Sequence, residues 1–414
     1  MRKKLLLLDR AGPLMAAFVA LVIVPWLYHR ESIDISTVNQ LGRYLSFAIV
    51  ALGIDLIWGY TGMLSLCQAM FFCLGAYAVG MHMALHGPLD GDAKDIPRCL
   101  FVVSSEVSGF KLPWIWQPFK TLPAAILLGL LMPALAAATF GYFAFRSRVR
   151  GVYFSIITQA TTLGTWLLLT LNQTFKIPIV RSDLPGWFPE WFDNGLLWLF
   201  DKLNQVRLCG TNGVTNFETL AGFDVRKSGT KLCLYLLSVI AVIGTYALCR
   251  YLVNSKLGRV LVAVRDNESR LRFSGYQPLY FKVFAFAIAA MLAGLGGMLY
   301  CSQQTIVAPS DMRVEWSIIM VIWVAVGGRG TLTGAIVGTL LINFTYDFLT
   351  SRWANSWPFV QGVLFIGVVL FFPQGLVGLW RNWIGTDDRR PPPDPLSRGE
   401  EAFVLSPPPP EASP

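Results

Sequence analysis

The chain has 414 residues, of which 54% are hydrophobic and only 14% are charged, and its mean hydropathy is +0.52. A soluble domain of this composition would leave too much apolar surface in water, so an ordinary soluble protein is excluded. Several runs of roughly 18 to 24 apolar residues can each cross a hydrocarbon core about 30 Å thick, which predicts an all-α polytopic membrane protein. The net charge of +9 is better explained by membrane orientation than by binding of nucleic acid.

The N-terminal stretch combines a basic flank with an apolar run. Asp9 and Arg10 interrupt the run, and no small-residue cleavage site follows it, so we predict an uncleaved first span over 12–28 rather than a signal peptide. The next apolar runs predict further membrane-spanning helices. These spans are expected at 41–59, 63–85, 121–145, 151–171, 231–252 and 279–300.

The apolar stretch 316–349 is interrupted by the sequence GGRGTLTG. A single helix over this stretch would be about 50 Å long, which is too long for a bilayer, so we predict two short spans on either side of Arg329. A final span over 358–379 brings the expected total to about ten. The glycine run lacks the lysine and the Ser or Thr of a phosphate-binding loop, so nucleotide binding by this chain is not predicted.

Positive charge predicts which loops lie inside the cell. The loops 146–150 and 253–278 are net basic, whereas the loop 172–230 carries six positive and six negative side chains. Because cytoplasmic loops are enriched in Lys and Arg, both termini are expected to be cytoplasmic. The long loops 86–120 and 172–230 are then expected on the outer side.

The chain is expected to consist of a transmembrane domain over 1–383 and a disordered, proline-rich cytoplasmic tail over 384–414. The seven cysteines include no CxxC pair, which argues against a metal site and a disulfide framework. Cys99 and Cys209 lie in the two outer loops and would be able to pair in an oxidising compartment. The aromatic segment 173–207 of the second loop suggests an interfacial helix or a contact for an extracytoplasmic protein.

Seven charged side chains lie in the loop 253–278, between two apolar runs. Asp266 or Asn267 can cap a short helix over 268–273, which Gly275 would end. A short amphipathic helix at the inner membrane face is either a docking element for a cytosolic partner or a basic segment held near anionic membrane lipid. These residues alone leave both alternatives open.

The predicted span 151–171 carries a polar stripe within about 120° of its circumference. The stripe either lines a path for a small solute or attaches the helix to its neighbours. Its members are Ser155, Thr158, Gln159, Thr162 and Thr165.

Other residues in the apolar runs suggest packing rather than chemistry. Small residues recur every fourth position from Ala285 to Gly297, a spacing that lets two helix backbones approach closely. Asp55 and Asp347 are acids in or near spans, and the position of Asp55 near Trp58 and a helix end predicts an interfacial side chain. No series of acids and bases suggests a proton relay.

Several motifs resemble the LivM-type permeases of ATP-binding-cassette importers. They include GRVLVAVRDNESRLRFSGYQP in the loop 253–278, WGYTGMLSLCQAMFFCLGAY at 58–77, RGVYFSIITQA at 150–160, VGGRGTLTGAIVG at 326–338 and FFPQGLVGL at 371–379. The motifs FGYFAFRSRVRGVYFSIITQ, GTNGVTNFETLAGF and VIWVAVGGRGTLTG look closest to the urea-transporter branch, the UrtC-type permeases, rather than to the branched-chain amino acid branch.

The resemblance implies a transport subunit of the bacterial inner (plasma) membrane, not an enzyme, which binds no cofactor itself because ATP binds to partner subunits. The implied partners are a homologous second permease subunit, two ATP-binding subunits and a periplasmic substrate-binding protein. The resemblance also implies that the loop 253–278 couples the permease to the ATPase. The coupling residues carried over from the motif are Arg265, Asp266, Asn267, Glu268 and Gly275.

The expected substrate is urea or a similar small solute, with branched-chain amino acids as the alternative. An ion-coupled secondary transporter is a second alternative, which would require intramembrane ionisable residues and two comparable halves. Where the family usually has Gly-His, this chain has Cys67-Gln68. The candidate residues of the translocation pathway are Gln68, Ser155, Thr158, Gln159 and Thr162.

Overall fold

A computed structural model describes residues 19–30, 34–87, 114–147, 149, 151–171, 213–352 except 216, 218 and 221, and also 359, 360, 362, 363, 367, 375 and 376. Nearly all regular structure in these ranges is helical. The helices are α1 (Val24–His29), α2 (Ile35–Thr61), α3 (Gln68–Leu85), α4 (Leu122–Arg146), α5 (Val152–Leu171), α6 (Ser228–Asn254), α7 (Lys256–Phe273), α8 (Pro278–Gln304), α9 (Val314–Gly327) and α10 (Leu332–Arg352).

Short strands connect the loops at one end of the helical bundle. β1 (Val214–Thr215) pairs antiparallel with β4 (Ile306–Val307), while β2 (Thr219–Leu220) pairs with β3 (Phe223–Asp224). The β1–β4 pair fastens the segment that precedes α6 to the segment that follows α8. A π-helical turn at Val19–Ile23 and 3₁₀ turns at Trp114–Lys120 and Pro309–Met312 complete the described elements.

Seven of the described helices, α2 to α6, α8 and α10, are long and apolar enough to cross a membrane. The six spans predicted between 41 and 300 correspond to α2, α3, α4, α5, α6 and α8, so an all-α polytopic architecture is confirmed. The predicted break around Arg329 is also confirmed, because α9 ends at Gly327 and α10 begins at Leu332.

Several predictions fall outside the described residues. They concern the first part of the span 12–28, most of the span 358–379, the pairing of Cys99 with Cys209, the segment 173–207 and the tail 384–414. Within the described part of the first span, residues 19–29 are helical. The total of about ten spans therefore stays a prediction.

The helix α3 lies at the centre of the bundle, with 89% of its apolar window buried against α2, α4 and α8. It approaches α8 through glycines on both helices: a Cβ at Gly75 would lie 2.2 Å from the carbonyl oxygen of Gly294, and a Cβ at Gly297 would lie 1.8 Å from that of Phe72. The predicted close packing by the small residues of 279–300 is thus confirmed.

The backbone leaves helical geometry in two places inside the bundle. α2 ends at Thr61, followed by Gly62 with φ of +76°, and residues 62–67 are not helical before α3 begins. The second place is 305–313, between α8 and α9. Irregular backbone at membrane depth is tolerated only where protein or a water-filled cavity covers it.

The contacts of α9 show where these irregular segments lie. The turn after α9 touches the end of α2, because the Gly330 N–H donates to Oδ1 of Asp55 at 2.7 Å. The start of α9 touches the start of α3, because the Ala69 N–H donates to Oγ of Ser317 at 3.1 Å. Ten residues of helix separate these contacts, about 15 Å or half of a hydrocarbon layer. Both α3 and α9 therefore begin about 15 Å from the end of α2, measured along the axis of α9.

We expect Gly75→Ala to destabilise the protein, because its methyl group would overlap the backbone of α8. Overpacking of a well-packed core costs about 1–3 kcal/mol, so the melting temperature of the detergent-solubilised protein should fall. Gly244→Ala in α6 is the matched control, since a Cβ there meets nothing within 4 Å. Equal melting temperatures for the two variants would contradict the close approach of α3 and α8.

Candidate coupling and translocation sites

The helix α7 is two helical pieces joined at one residue. Asn267 has extended backbone angles (φ −157°, ψ 96°), and its Oδ1 accepts a hydrogen bond from the Arg270 N–H at 3.0 Å. Asn267 is therefore the cap of the second piece, as one of the two sequence alternatives predicted. Gly275, with φ of +84°, ends it. The first piece, from Lys256 to Asp266, is a helix that the sequence did not predict.

The first piece of α7 is anchored to the end of α2. The Arg265 Nη1 donates to the Gly59 carbonyl at 2.9 Å. Beside it, the Arg329 Nε from the turn between α9 and α10 donates to the Trp58 carbonyl at 3.2 Å. Because the last carbonyls of a helix lack partners within it and carry partial negative charge, two guanidinium groups are well placed there. Burial, and then the nearby Arg265, lower the pKa of the Arg329 guanidinium, whereas Asp55 raises it.

Asp55 connects α2 to the turn between α9 and α10. Its side chain is fully buried and accepts the Gly330 N–H. The turn at Gly330 folds over the end of α2 and buries Asp55. The interfacial depth of Asp55 stays a prediction. A Cβ at Gly59 would lie 2.4 Å from Oδ1 of Asp55 and 2.7 Å from Gly330, so only glycine permits this approach.

The second piece of α7 is anchored to α8 through Glu268. Its Oε2 accepts from Lys282 Nζ at 2.7 Å, and its Oε1 accepts from Arg272 Nη2 at 2.7 Å. The side chains of Glu268 and Lys282 are only 12% and 9% exposed. A cavity of about 120 Å³ lies between the two anchors, with Val264 and Phe145 among its lining residues.

The residues carried over from the coupling motif therefore differ in where they point. Arg265, Asp266, Asn267 and Gly275 are exposed, whereas the carboxylate of Glu268 is turned into the bundle. Phe273, at the end of α7, is 93% exposed. Contact with an ATPase by the exposed residues stays a prediction, and Glu268 has an internal structural role in addition to any such contact.

The polar stripe of α5 binds the irregular segment 62–67. Ser155 Oγ donates to the Leu64 carbonyl at 2.8 Å, and Thr158 Oγ1 accepts the Leu66 N–H at 3.0 Å. Thr162 Oγ1 donates to the Leu66 carbonyl at 3.1 Å. These hydroxyl groups satisfy backbone groups that would otherwise be unpaired at membrane depth.

The two glutamines among the pathway candidates occupy different environments. Gln159, at the edge of the polar stripe beside Ser155, is exposed. Gln68, the first residue of α3, is 1% exposed, and neither its Nε2 nor its Oε1 has a hydrogen-bond partner among the described residues. The structure thus brings Ser155, Thr158 and Thr162 together at the segment 62–67. A role in the translocation pathway stays a prediction for these three residues and for both glutamines.

Charged residues at the entry of α9 were not identified from the sequence as functional candidates. Asp311 Oδ2 accepts the Ala308 N–H at 3.1 Å, and the side chains of Arg313 and Glu315 are exposed. The sequence does contain a signal that could have identified these residues, because the charges immediately precede a short apolar run. Across the described ranges, no group of three or more His, Cys, Asp or Glu side chains could hold a metal ion.

Comparison with known proteins yields one family and several relatives. Residues 36–370 match the family described as the permease component of branched-chain amino acid transport systems. The chain is 26% identical over 373 residues to the high-affinity branched-chain amino acid permease proteins LivM of Salmonella typhimurium and of Escherichia coli, covering 89% of this chain and 75% of each relative. It is also 26% identical over 126 residues to the ribose import permease protein RbsC of Haemophilus influenzae, covering 29% and 38%. No solved structure shows a significant match.

We expect Glu268→Met to destabilise the protein, because it removes the carboxylate that pairs with the nearly buried Lys282. Lys282→Met should destabilise it less, because Glu268 keeps its ion pair with Arg272. Breaking such a pair costs about 3–5 kcal/mol, whereas replacing both charges by apolar side chains is often nearly neutral. The double variant should therefore recover most of the lost melting temperature. The exposed Asp266, changed to Asn, is the control. If Glu268→Met melts like the unaltered protein, its carboxylate is not an anchor.

Proposed function

Because the chain belongs to the family of permease components of branched-chain amino acid transport systems, we propose that it is the translocating subunit of an ATP-binding-cassette importer that carries a branched-chain amino acid into the cell. The chain is an integral, multi-pass membrane permease. The match of the family over 36–370 is the observation that carries the proposal.

The proposed substrate is a branched-chain amino acid. Two relatives matched over most of the chain are branched-chain amino acid permeases by their names. Urea is the second candidate, because the motifs at 141–160, 210–223 and 321–334 resemble the urea-transporter branch. That resemblance rests on short motifs alone, so the amino acid is the better supported substrate.

The exposed part of α7 is proposed as the docking element for an ATPase subunit. It presents Asp266, Asn267 and Phe273 at the end of the bundle where α2 finishes. Docking there would place the ATPase beside both anchors of α7. These are the contact of Arg265 with α2 and the contact of Glu268 with α8. A movement of the ATPase would therefore reach two membrane helices at once.

The proposed translocation mechanism is alternating access. The starts of α3 and α9 contact each other, and the irregular segments beside them can change conformation without unwinding a complete helix. The hydrogen bond between the Gly330 N–H of the α9–α10 turn and Asp55 connects α9 to the end of α2. The same end of α2 accepts the hydrogen bond from Arg265 of α7. ATP binding and hydrolysis on partner subunits would supply the energy.

The proposed location is the bacterial inner membrane, with cytoplasmic termini and α7 on the cytoplasmic side. The basic loop 253–278 supports this orientation. The proposed assembly contains a second permease subunit, two ATP-binding subunits and a periplasmic binding protein.

Uptake of radiolabelled leucine and of radiolabelled urea into proteoliposomes tests the function. The vesicles should hold this chain with its co-encoded permease, ATPases and binding protein, with and without internal ATP. We expect leucine uptake that requires ATP and that excess urea does not reduce. ATP-dependent urea uptake would assign the second substrate, and uptake driven by a proton gradient without ATPases would overturn the importer assignment.

We expect Asp266→Lys to weaken binding of the ATPase subunits without destabilising the permease. The Asp266 side chain is 64% exposed and its ion pair is with its neighbour Arg265, so reversing its charge mainly alters the docking surface. Copurification of the ATPase should fall about tenfold. Asp34→Lys, at the opposite end of α2, is the matched control. Unchanged copurification would remove the reason for placing the ATPase at α7.

A further inference from the structure

We propose that the cavity beside Glu268 and Lys282 binds the amino acid that the transporter has delivered to the cytoplasm, and that this binding slows further import. The proposal rests on the proposed function, which supplies the amino acid and the orientation of α7. It adds a regulatory site for the same ligand and a form of feedback on transport.

The cavity lies where five helices meet at one end of the bundle. Gly62 and Gly151 line it and are exposed, so the cavity reaches the protein surface and a small molecule can enter it. Each of the five helices contributes to its wall. The contributing residues include Thr61 of α2, Phe145 of α4, Phe154 of α5, Val264 of α7 and Lys282 of α8.

One side of the cavity is apolar. The rings of Phe145 and Phe154 stack with their centroids 4.9 Å apart, and Val264 is buried beside them. A cavity of about 150 Å³ with apolar walls holds a benzene ring. The volume of this cavity, about 120 Å³, is therefore sufficient for the branched side chain of valine or leucine.

The other side of the cavity carries one negative and one positive side chain. Glu268 Oε2 and Lys282 Nζ lie 2.7 Å apart, and the two side chains are largely buried. The ammonium group of an amino acid can donate to Glu268 while its carboxylate accepts from Lys282, which places four charges of alternating sign side by side. Such a ligand brings no net charge into a poorly solvated site, whereas a simple anion or cation does. The cavity thus fits a zwitterion with a small apolar side chain.

A ligand in the cavity would add connections between α7 and the bundle. α7 packs mainly against α2, α6 and α8. The ligand would also connect it to Phe145 of α4 and Phe154 of α5. Because a ligand favours the arrangement to which it binds more tightly, bound amino acid would hold α7 in the arrangement seen here. The proposed docking element for the ATPase would then move less readily, and import would slow as the amino acid accumulates inside.

Equilibrium binding to the isolated, detergent-solubilised chain tests the class of ligand. The labelled probes are leucine, isocaproate, which lacks the ammonium group, and isopentylamine, which lacks the carboxylate. Each analogue loses one charge-assisted hydrogen bond, so we expect leucine to bind at least about tenfold more tightly than either. Binding of an analogue as tight as that of leucine, or no binding of leucine, would overturn the proposal.

A larger side chain inside the cavity tests the location of the site. Val264→Phe places a ring in the space for the side chain of the ligand, so leucine binding should fall at least about tenfold. Val262→Phe is the matched control, because Val262 is partly buried on the opposite side of the same helical piece and does not line the cavity. Melting temperatures show whether both variants fold, and the comparison of probes on the unaltered chain does not depend on them. Equal leucine binding by the two folded variants would contradict this location.

Uptake into proteoliposomes tests the effect on transport. The complete transporter would import labelled leucine with internal ATP, in the presence or absence of unlabelled internal leucine. At about ten times its dissociation constant, internal leucine leaves about one tenth of the sites empty, so initial uptake should fall about tenfold. For Val264→Phe, internal leucine should have almost no effect on the uptake that this variant shows without it.

The outcomes separate this proposal from the proposed function. If leucine uptake requires ATP but internal leucine does not slow it, or slows Val264→Phe and Val262→Phe equally, the feedback site is wrong and the proposed function stands. If no ATP-dependent uptake of leucine occurs, the proposed substrate fails, and the feedback on its transport fails with it.

Discussion

The structure depends on one constraint, which is that backbone N–H and C=O groups inside a hydrocarbon layer must find partners within the protein. Two stretches of this chain, 62–67 and 305–313, leave α-helical geometry next to membrane-spanning helices. Ser155, Thr158 and Thr162 of α5 supply partners for the first stretch, while β1 and Asp311 supply partners for the second. The position of α5, which otherwise makes few contacts, follows from this requirement.

The same constraint separates the polar residues of α5 into two groups. The hydroxyl groups that face the bundle are occupied by backbone, so they contribute to stability whether or not a solute passes them. Gln159 has no such task within the described part of the chain.

Much of the architecture was predictable, since apolar runs of sufficient length set the spans and GGRGTLTG set the break between α9 and α10. The cap at Asn267 was one of two predicted alternatives, and the close packing by small residues of α8 was predictable from their spacing. The unwound stretch 62–67 was not, because Met63, Leu64 and Leu66 are as apolar as a helix would be. Hydropathy depends only on which residues are present. The non-helical geometry of 62–67 depends on hydrogen bonds to α5, which a hydropathy profile does not contain.

The arrangement at the end of α2 has a consequence for how motion passes through the protein. Each guanidinium group binds a backbone carbonyl at one distance and in one direction, and a shift of about 1 Å would break the bond without forming an intermediate one. Contacts of this kind are either made or broken, so packed elements joined by them exchange between discrete arrangements. The contacts that α7 and the α9–α10 turn make with the end of α2 should therefore act as a latch with two positions and not as a spring that stretches in proportion to the force applied.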